Sequence, residues 1–197
     1  MQKSRLFAGA AAMAVMVTAV ATFAVPKSFL SRPANAIELT AAMSGQGSLN
    51  RAIAAAENLT GGHVIEIHFE GGNGAGRYAA TVSRNGTLDQ ALINLASGQV
   101  AIVDQAQEPV RTFDFKEKAE AELVVRGSKI AIRDAVANAE QESRGVAISA
   151  RTTRSGDGYM VAHDIETVRA NMVKPVLVDA KTGLVIQNSQ AFSSSEP

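Results

Sequence analysis

The apolar residues of "SLNRAIAAAENL", residues 48–59, recur at the spacing of a helix. Three of them fall on one face: Leu49, Ile53 and Ala56. Ser48 is of a type that caps helix amino termini, and the glycines at 61–62 can take the left-handed conformation in which helices commonly end. The pattern predicts one amphipathic helix with its apolar face toward a core.

The period then changes from helical to two. "HVIEIHFE", residues 63–70, alternates between polar and apolar side chains and predicts a half-buried strand. Asn85-Gly86 separates two further strand-like runs at 77–83 and 87–95, and Asn-Gly favours a hairpin because both turn residues need positive φ. A second turn at "ASGQ" leads into "VAIV". The first unit is therefore predicted to be a helix followed by an antiparallel meander.

A second unit of the same design follows. Residues 128–143 predict a helix, with four residues facing inward: Ile132, Ala135, Val136 and Ala139. Gly145 is predicted to end this helix, and "VAISARTT", residues 146–153, to form a strand. "YMVAHDIET" and "VKPVLVDAKTGLVIQN" supply the remaining strands.

The two units can be matched in order, which indicates an internal duplication. The helices share an Ala-x-Ala segment followed by Glu. The remaining pairs are Gly62 with Gly145, Tyr78 with Tyr159, and "NLASGQV" (94–100) with "DAKTGLV" (179–185). We expect an α+β fold of two tandem cystatin-like units, each a helix packed on an antiparallel β-meander.

The predicted organisation has five parts. They are a signal peptide at 1–36, the first unit at 48–104, a linker at 105–127, the second unit at 128–188 and a flexible tail at 189–197. Within the linker, residues 116–123 predict a short exposed helix, with a solvated linker as the alternative.

The amino terminus has the form of an export signal. "MQKSR" is basic, residues 6–25 are uncharged and apolar, and Ala34 and Ala36 give the small-x-small pattern of a signal peptidase site. The alternative is an uncleaved anchor, because a stretch of this length can cross a bilayer. Both interpretations place the protein in the periplasm or outside the cell.

Charge and cysteine content exclude several classes of function. From residue 37 onward there are 15 basic and 19 acidic residues, a formal charge of −4, which does not attract nucleic acid or anionic lipid. The chain contains no cysteine, so disulfides, thiolate chemistry and a lipoprotein anchor are excluded.

These motifs resemble the PepSY domain, an exported module first noted in the propeptides of thermolysin-like metallopeptidases. The second unit carries the motif "VDAKTGLV", whereas the first has Asn94 and Ser97 where the family has Asp and Thr. "GYMVAHDIETVRANMVKP" departs from the regular hairpin of the family. The resemblance implies a non-catalytic, helix-on-sheet module that inhibits or chaperones a peptidase, or serves in a sensory or accessory envelope protein.

The residues themselves predict no catalytic, cofactor or metal site. His63 and His68 lie on opposite faces of one strand, His163 is isolated, and all three are expected at the surface or an edge. "GGNGAG" precedes a strand, whereas a phosphate loop needs a helix amino terminus, so a flexible hairpin loop is the better interpretation.

The predicted binding surface is the polar face of the first strand. Glu66, His68 and Glu70 form that face, and we expect a protein or peptide partner there or along an exposed sheet edge. The alternative is a membrane-tethered sensory or accessory protein in which the units act as a ligand sensor or spacer.

The remaining motif residues are predicted to be structural. They are Gly62, Tyr78, Asn85, Gly86, Gly98, Gly145, Tyr159, Asp179 and Gly183. Asp179 opens a tight turn by accepting amide hydrogen bonds, and Gly183 closes it with a positive φ.

Overall fold

A computed structural model describes residues 31–71, 76–94, 96–97, 99–102, 114–154 and 160–186. The helices are α1 (Ala36–Met43), α2 (Ser48–Thr60), α3 (Phe115–Gly127) and α4 (Ile132–Ser143). The strands are β1 (Arg32–Pro33), β2 (His63–Glu70), β3 (Arg77–Arg84), β4 (Thr87–Asn94), β5 (Gln99–Ile102), β6 (Val146–Arg154), β7 (Val161–Arg169), β8 (Met172–Asp179) and β9 (Val185–Ile186). The α+β class is confirmed.

All of these strands belong to one antiparallel sheet. The order is β1-β8-β7-β6-β2-β3-β4-β5, and β9 also pairs with β8. The first unit, α2 with β2–β5, joins the second unit, α4 with β6–β9, because β2 and β6 pair directly, with Glu66 opposite Arg151 and His68 opposite Ser149. The two meanders therefore form one continuous sheet.

The main core lies between this sheet and the pair α2 and α4. The four residues predicted to face inward from α4 are buried, as are the three predicted from α2. They pack with side chains from β2, β3, β4, β6, β7 and β8 in one cluster. We call this side of the sheet the first face.

Among the described residues, the opposite, second face is covered toward its ends, by α1 and α3. Ala41 of α1 packs against Ile148, Val168 and Val173. Val124 of α3 packs with Val161, Ala180 and Ile65. Within the predicted linker, residues 114–127 thus form a capped helix. One side of this helix is buried, so it is not simply an exposed connector.

The helix ends differ from the sequence predictions in detail. Gly47, with φ of 74°, is the N-cap of α2, so Ser48 is the first helical residue and makes no cap hydrogen bond. Gly61 ends α2 with φ of 68°, as predicted. In α4 the left-handed residue is Arg144, with φ of 51°, and not Gly145.

Gly62 and Gly145 are required for a different reason. A Cβ at Gly62 would lie 2.7 Å from the carbonyl oxygen of Ser83, and a Cβ at Gly145 would lie 2.9 Å from that of Val168. Both glycines therefore allow the chain leaving the helix to pass close to a neighbouring strand.

A β-bulge changes the alternation that the sequence predicts for β2. The register shifts between Val64 and Glu66, so that Val64 and Ile67 are both buried in the main core. An extra residue in one strand reverses the inward and outward positions on one side of it. Val64 therefore does not share a face with Glu66 and His68.

The β3–β4 hairpin and the β7–β8 hairpin each close with two residues at positive φ. Asn85 and Gly86 have φ of 49° and 79°, as predicted. Ala170 and Asn171, with φ of 50° and 62°, connect β7 to β8 in the same way. The segment whose sequence departs from the pattern of the family thus forms a regular hairpin, because Asn tolerates positive φ and β7 and β8 pair in register up to the turn.

Among the described residues, none of the four helices combines the length and apolar character needed to cross a bilayer. The apolar run at residues 6–25 lies outside the described residues.

Candidate functional site

A groove crosses the second face between α1 and α3. Its floor consists of outward side chains from β2, β6 and β7: Glu66, His68, Ser149, Arg151, Asp164 and Glu166. We call this the second-face groove. It is lined in both units, since β2 belongs to the first and β6 and β7 to the second.

The floor residues lie in two rows that run across the strands. In one row Glu66 is opposite Arg151, which is opposite Asp164. In the other, His68 is opposite Ser149, which is opposite Glu166. Directly opposed side chains of antiparallel strands lie within contact distance. Arg151 is therefore flanked by two carboxylates, and the floor carries more negative than positive charge.

The central carboxyl, Asp164, is partly desolvated. Burial raises the pKa of Asp164; the Arg151 guanidinium opposes this shift and the neighbouring Glu166 carboxylate adds to it. Glu166 itself accepts from the Ser149 hydroxyl at 3.0 Å and from the Arg32 guanidinium at 3.1 Å. The floor thus combines a carboxyl group held by two donors, Glu166, with a carboxyl group whose pKa is raised, Asp164.

The α1 wall is held by an ion pair and a helix cap. Arg32 donates to both carboxylate oxygens of Glu38, at 2.9 and 2.6 Å. Hydrogen bonding from Arg32 lowers the pKa of Glu38, with an opposing contribution from burial. Beside this wall is a cavity of 220 Å³ that shares His68, Ser149 and Glu166 with the floor.

The α3 wall is held by a bidentate ion pair. Arg154 of β6 donates to both oxygens of Glu120, at 3.1 and 3.0 Å. The cavity here, 620 Å³, shares Glu66 and Arg151 with the floor, whose own cavity measures 350 Å³. The three cavities therefore adjoin one another along the direction of β2 and β6.

The structure brings two of the three predicted binding residues into this groove. Glu66 and His68 line its floor. Glu70, at the end of β2, forms an ion pair with Arg77 at 3.1 Å, and its carboxylate lies 3.5 Å from a ring nitrogen of His68.

Sequence reasoning missed the floor residues from the second unit: Ser149, Arg151, Asp164 and Glu166. They alternate with buried residues in β6 and β7, so the period-two pattern marked them as outward-facing. The pairing of β2 with β6, which brings them beside Glu66 and His68, had no local signal.

The predicted surface position of His163 was wrong. Its side chain is 1% exposed, and its ring nitrogens lie 3.0 Å from the Thr152 hydroxyl and 3.0 Å from the Ile130 carbonyl. Burial lowers the pKa of His163, while the hydrogen bond to Ile130 and the charge of Asp179 oppose the shift. Both ring nitrogens have partners, which makes a buried neutral imidazole possible. His63 and His68 are exposed, as expected.

The structural role predicted for Tyr78 is supported. Its ring is buried under α2 in an edge-to-face contact with Phe69, and its hydroxyl lies 3.0 Å from the Ser48 hydroxyl. Tyr159 and Gly98 lie outside the described residues. The structural counterpart of Tyr78 is His163, since each lies seven residues before its hairpin turn on the first face.

The Asp179 motif is a turn, as predicted. One carboxylate oxygen accepts from the amides of Lys181 and Thr182 at 2.8 and 2.7 Å and from the Thr182 hydroxyl at 3.0 Å. Burial alone would raise the pKa of Asp179, but these hydrogen bonds lower it. Gly183 has φ of 75°.

The predicted signal-peptidase residues lie at the start of the fold. Ala34 packs beside the α1 cluster, and Ala36 is the first residue of α1. Within the described part of the chain, no three His, Cys, Asp or Glu side chains are placed to hold a metal ion. The groove offers hydrogen-bond acceptors and donors in rows, an arrangement suited to binding a polar chain.

Comparisons with known proteins add little to this geometry. No family model matches the chain, and no curated protein matches it. A solved structure that resembles it is a protein of Clostridium difficile 630 described as a "putative lipoprotein". That protein is 14% identical over 71% of this chain and 90% of its own, with a TM-score of 0.38.

Proposed function

We propose that this chain is a non-catalytic, exported PepSY-like protein that binds a peptide or protein segment in the second-face groove. The observation that carries the proposal is the groove itself, which the described residues leave open between α1 and α3 and which has a floor built by both units. A partner that regulates, or is regulated by, this protein would contact both units at once. Inhibition of an envelope peptidase is the specific form suggested by the resemblance to PepSY domains.

The arrangement of polar groups favours an extended segment as the occupant. The three adjoining cavities follow the direction of β2 and β6, so a chain lying along them would pass both rows of floor residues. Glu66, Asp164 and Glu166 outnumber Arg151, which favours partners with basic side chains.

The proposal can be tested by selecting peptides of about twelve residues from a displayed random library on the purified protein. We expect selected peptides to be enriched in Lys or Arg. Glu66→Lys is expected to weaken their binding by roughly tenfold or more, because it replaces the carboxylate opposite Arg151 by a positive charge. Fluorescence anisotropy with a labelled selected peptide measures the change.

Glu142→Lys is the matched control. Glu142 is exposed on α4, on the other side of the sheet, and the substitution changes the charge by the same amount. Equal weakening by the two substitutions would show that net charge, and not the groove, determines binding. Failure to enrich any peptide would contradict the proposal, and unchanged peptidase activity in an envelope extract would contradict its inhibitory form.

A further inference from the structure

The residues just before the predicted cleavage bond are part of the folded domain. β1 pairs with the outer edge of β8, with Arg32 opposite Val173 and Pro33 opposite Met172. The amide of Ala34 then donates to the carbonyl of Asn171 at 2.9 Å. Covering the end of an edge strand in this way protects it from pairing with another chain.

Arg32 connects this segment to two carboxylates of the fold. In addition to its two hydrogen bonds to Glu38, it reaches Glu166 on the floor of the second-face groove at 3.1 Å. Removing Arg32 would leave both carboxylates without this cation. The contact joins the amino-terminal segment to β7 across 134 positions of sequence.

Asn35 caps α1 in a reciprocal arrangement. Its side chain accepts from the Glu38 amide at 2.9 Å, and the Glu38 carboxylate accepts from the Asn35 amide at 2.7 Å. Cleavage after Ala36 would delete this capping box and place an α-ammonium group at the positive end of the helix dipole. Both changes destabilise a helix.

We propose that the bond between Ala36 and Ile37 is not cut during export, and that residues 31–36 remain in the mature protein as an integral part of the domain. Cleavage at this bond would remove β1, which pairs with β8, and Asn35, which caps α1. Ala34 packs against the cluster formed by Ala41, Ile148, Val168 and Val173, whereas Ala36 is exposed in the first turn of α1.

The first test is the amino terminus of the exported protein. The full chain, carrying a carboxy-terminal affinity tag, is expressed in a bacterium that exports it, and intact mass and amino-terminal sequencing are measured. We expect a chain that begins at or before Ser31. We also expect the same amino terminus in Ala36→Lys, a substitution that blocks cleavage after this position. A wild-type chain beginning at Ile37, lengthened by Ala36→Lys, would overturn the proposal.

The second test asks whether Arg32 still acts in the recovered protein. Arg32→Ala is expected to lower the Tm by about 2 °C, a modest shift because the side chain is partly exposed. Lys118→Ala, which removes an exposed cation on α3, should leave the Tm unchanged. Identical Tm values for wild type and both variants would mean that Arg32 is absent or inactive in the mature protein, and would overturn the proposal.

Discussion

The two units use the same backbone connections and differ in the side chains at equivalent positions. In each unit a Glu near the end of the helix accepts from a strand amide seven residues further along: Glu57 from Val64 at 3.3 Å, and Glu140 from Ala147 at 3.0 Å. A bulge follows immediately in both strands. The shared features are those that route the main chain from the helix into the sheet.

The two units differ in side chains that occupy equivalent positions on the same backbone path. Tyr78 ties β3 to the start of α2 through Ser48, whereas His163 ties β7 to the segment before α4 through Ile130. A buried phenol and a buried imidazole fill similar space but titrate at opposite ends of the pH range. Both units thus place a buried polar ring at this position, Tyr78 in the first and His163 in the second, and the two rings have very different pKa values.

The largest effect is expected where the units agree. Gly62→Ala should reduce the free energy of unfolding by about 2–3 kcal/mol, because the added methyl group meets the carbonyl of Ser83 and the side chain of Val82, both at 2.7 Å. Gly145→Ala should cost roughly 1–2 kcal/mol, since its methyl group meets the carbonyl of Val168 at 2.9 Å. Urea denaturation measures both.

Gly61→Ala separates crowding from backbone strain. Its added methyl group would meet nothing within 4 Å. The strain of about 1 kcal/mol at φ of 68° is partly offset by the smaller conformational entropy of alanine in the unfolded chain, so we expect a net loss of only a few tenths of a kcal/mol. If Gly61→Ala and Gly62→Ala lost equal stability, close approach would not be the reason that the units share Gly62 and Gly145.

The second prediction concerns the pH dependence of stability, which His163 gives to the second unit. The folded-state pKa of His163 is lowered, so its contribution to stability is complete above the unfolded value of about 6.5 and is lost as the pH falls below it. The free energy of unfolding should fall by up to about 1.4 kcal/mol per pH unit from this one residue. Denaturation between pH 7.5 and 5 measures the slope, to which Asp164, whose pKa is raised by burial, contributes with the opposite sign.

The matched variants are His163→Gln, which should remove that slope, and His68→Gln, which should leave it unchanged because His68 is exposed. Tyr78 gives the opposite dependence. Burial raises its pKa, so its contribution is complete below about pH 10 and is lost as the pH rises further. Retention of the acid slope in His163→Gln would show that another group is responsible.

Local patterns in the sequence were enough to predict the two long amphipathic helices, the main strands, the Asn85-Gly86 turn and the turn at Asp179. Each depends on residues close together in the chain. The pairing of β2 with β6 depends on which strand edges remain free after each unit has formed, so it was not predicted. Four of the six floor residues of the groove were missed for that reason.

The sequence pattern also failed to predict two other kinds of feature: short elements, and polar residues that are buried with hydrogen-bond partners. β1 and α1 are too short to show a period, and they are held by Arg32 and by contacts with the sheet. His163 is polar by type, and only the positions of Thr152 and Ile130 show that its burial is satisfied.

The third prediction exchanges the hairpin turns. Replacing Ala170 by Asn and Asn171 by Gly gives the second unit the turn of the first, and should stabilise the protein by about 0.5–1 kcal/mol because both positions have positive φ. The reverse exchange, Asn85→Ala with Gly86→Asn, should destabilise it by a similar amount. Thermal denaturation of both double variants tests this, and a gain from the reverse exchange would contradict it.

The smallest effect is expected at the helix ends, where Gly61 of the first unit corresponds to Arg144 of the second. Arg144 holds φ of 51°, so Arg144→Gly removes strain of about 1 kcal/mol, but glycine loses more conformational entropy on folding. We therefore expect a net gain of only a few tenths of a kcal/mol from Arg144→Gly and a similar loss from Gly61→Arg. The two sites are at different helix ends, so the combined variant should unfold with nearly wild-type stability. A large loss in the combined variant would show that Arg144 has a role beyond ending α4.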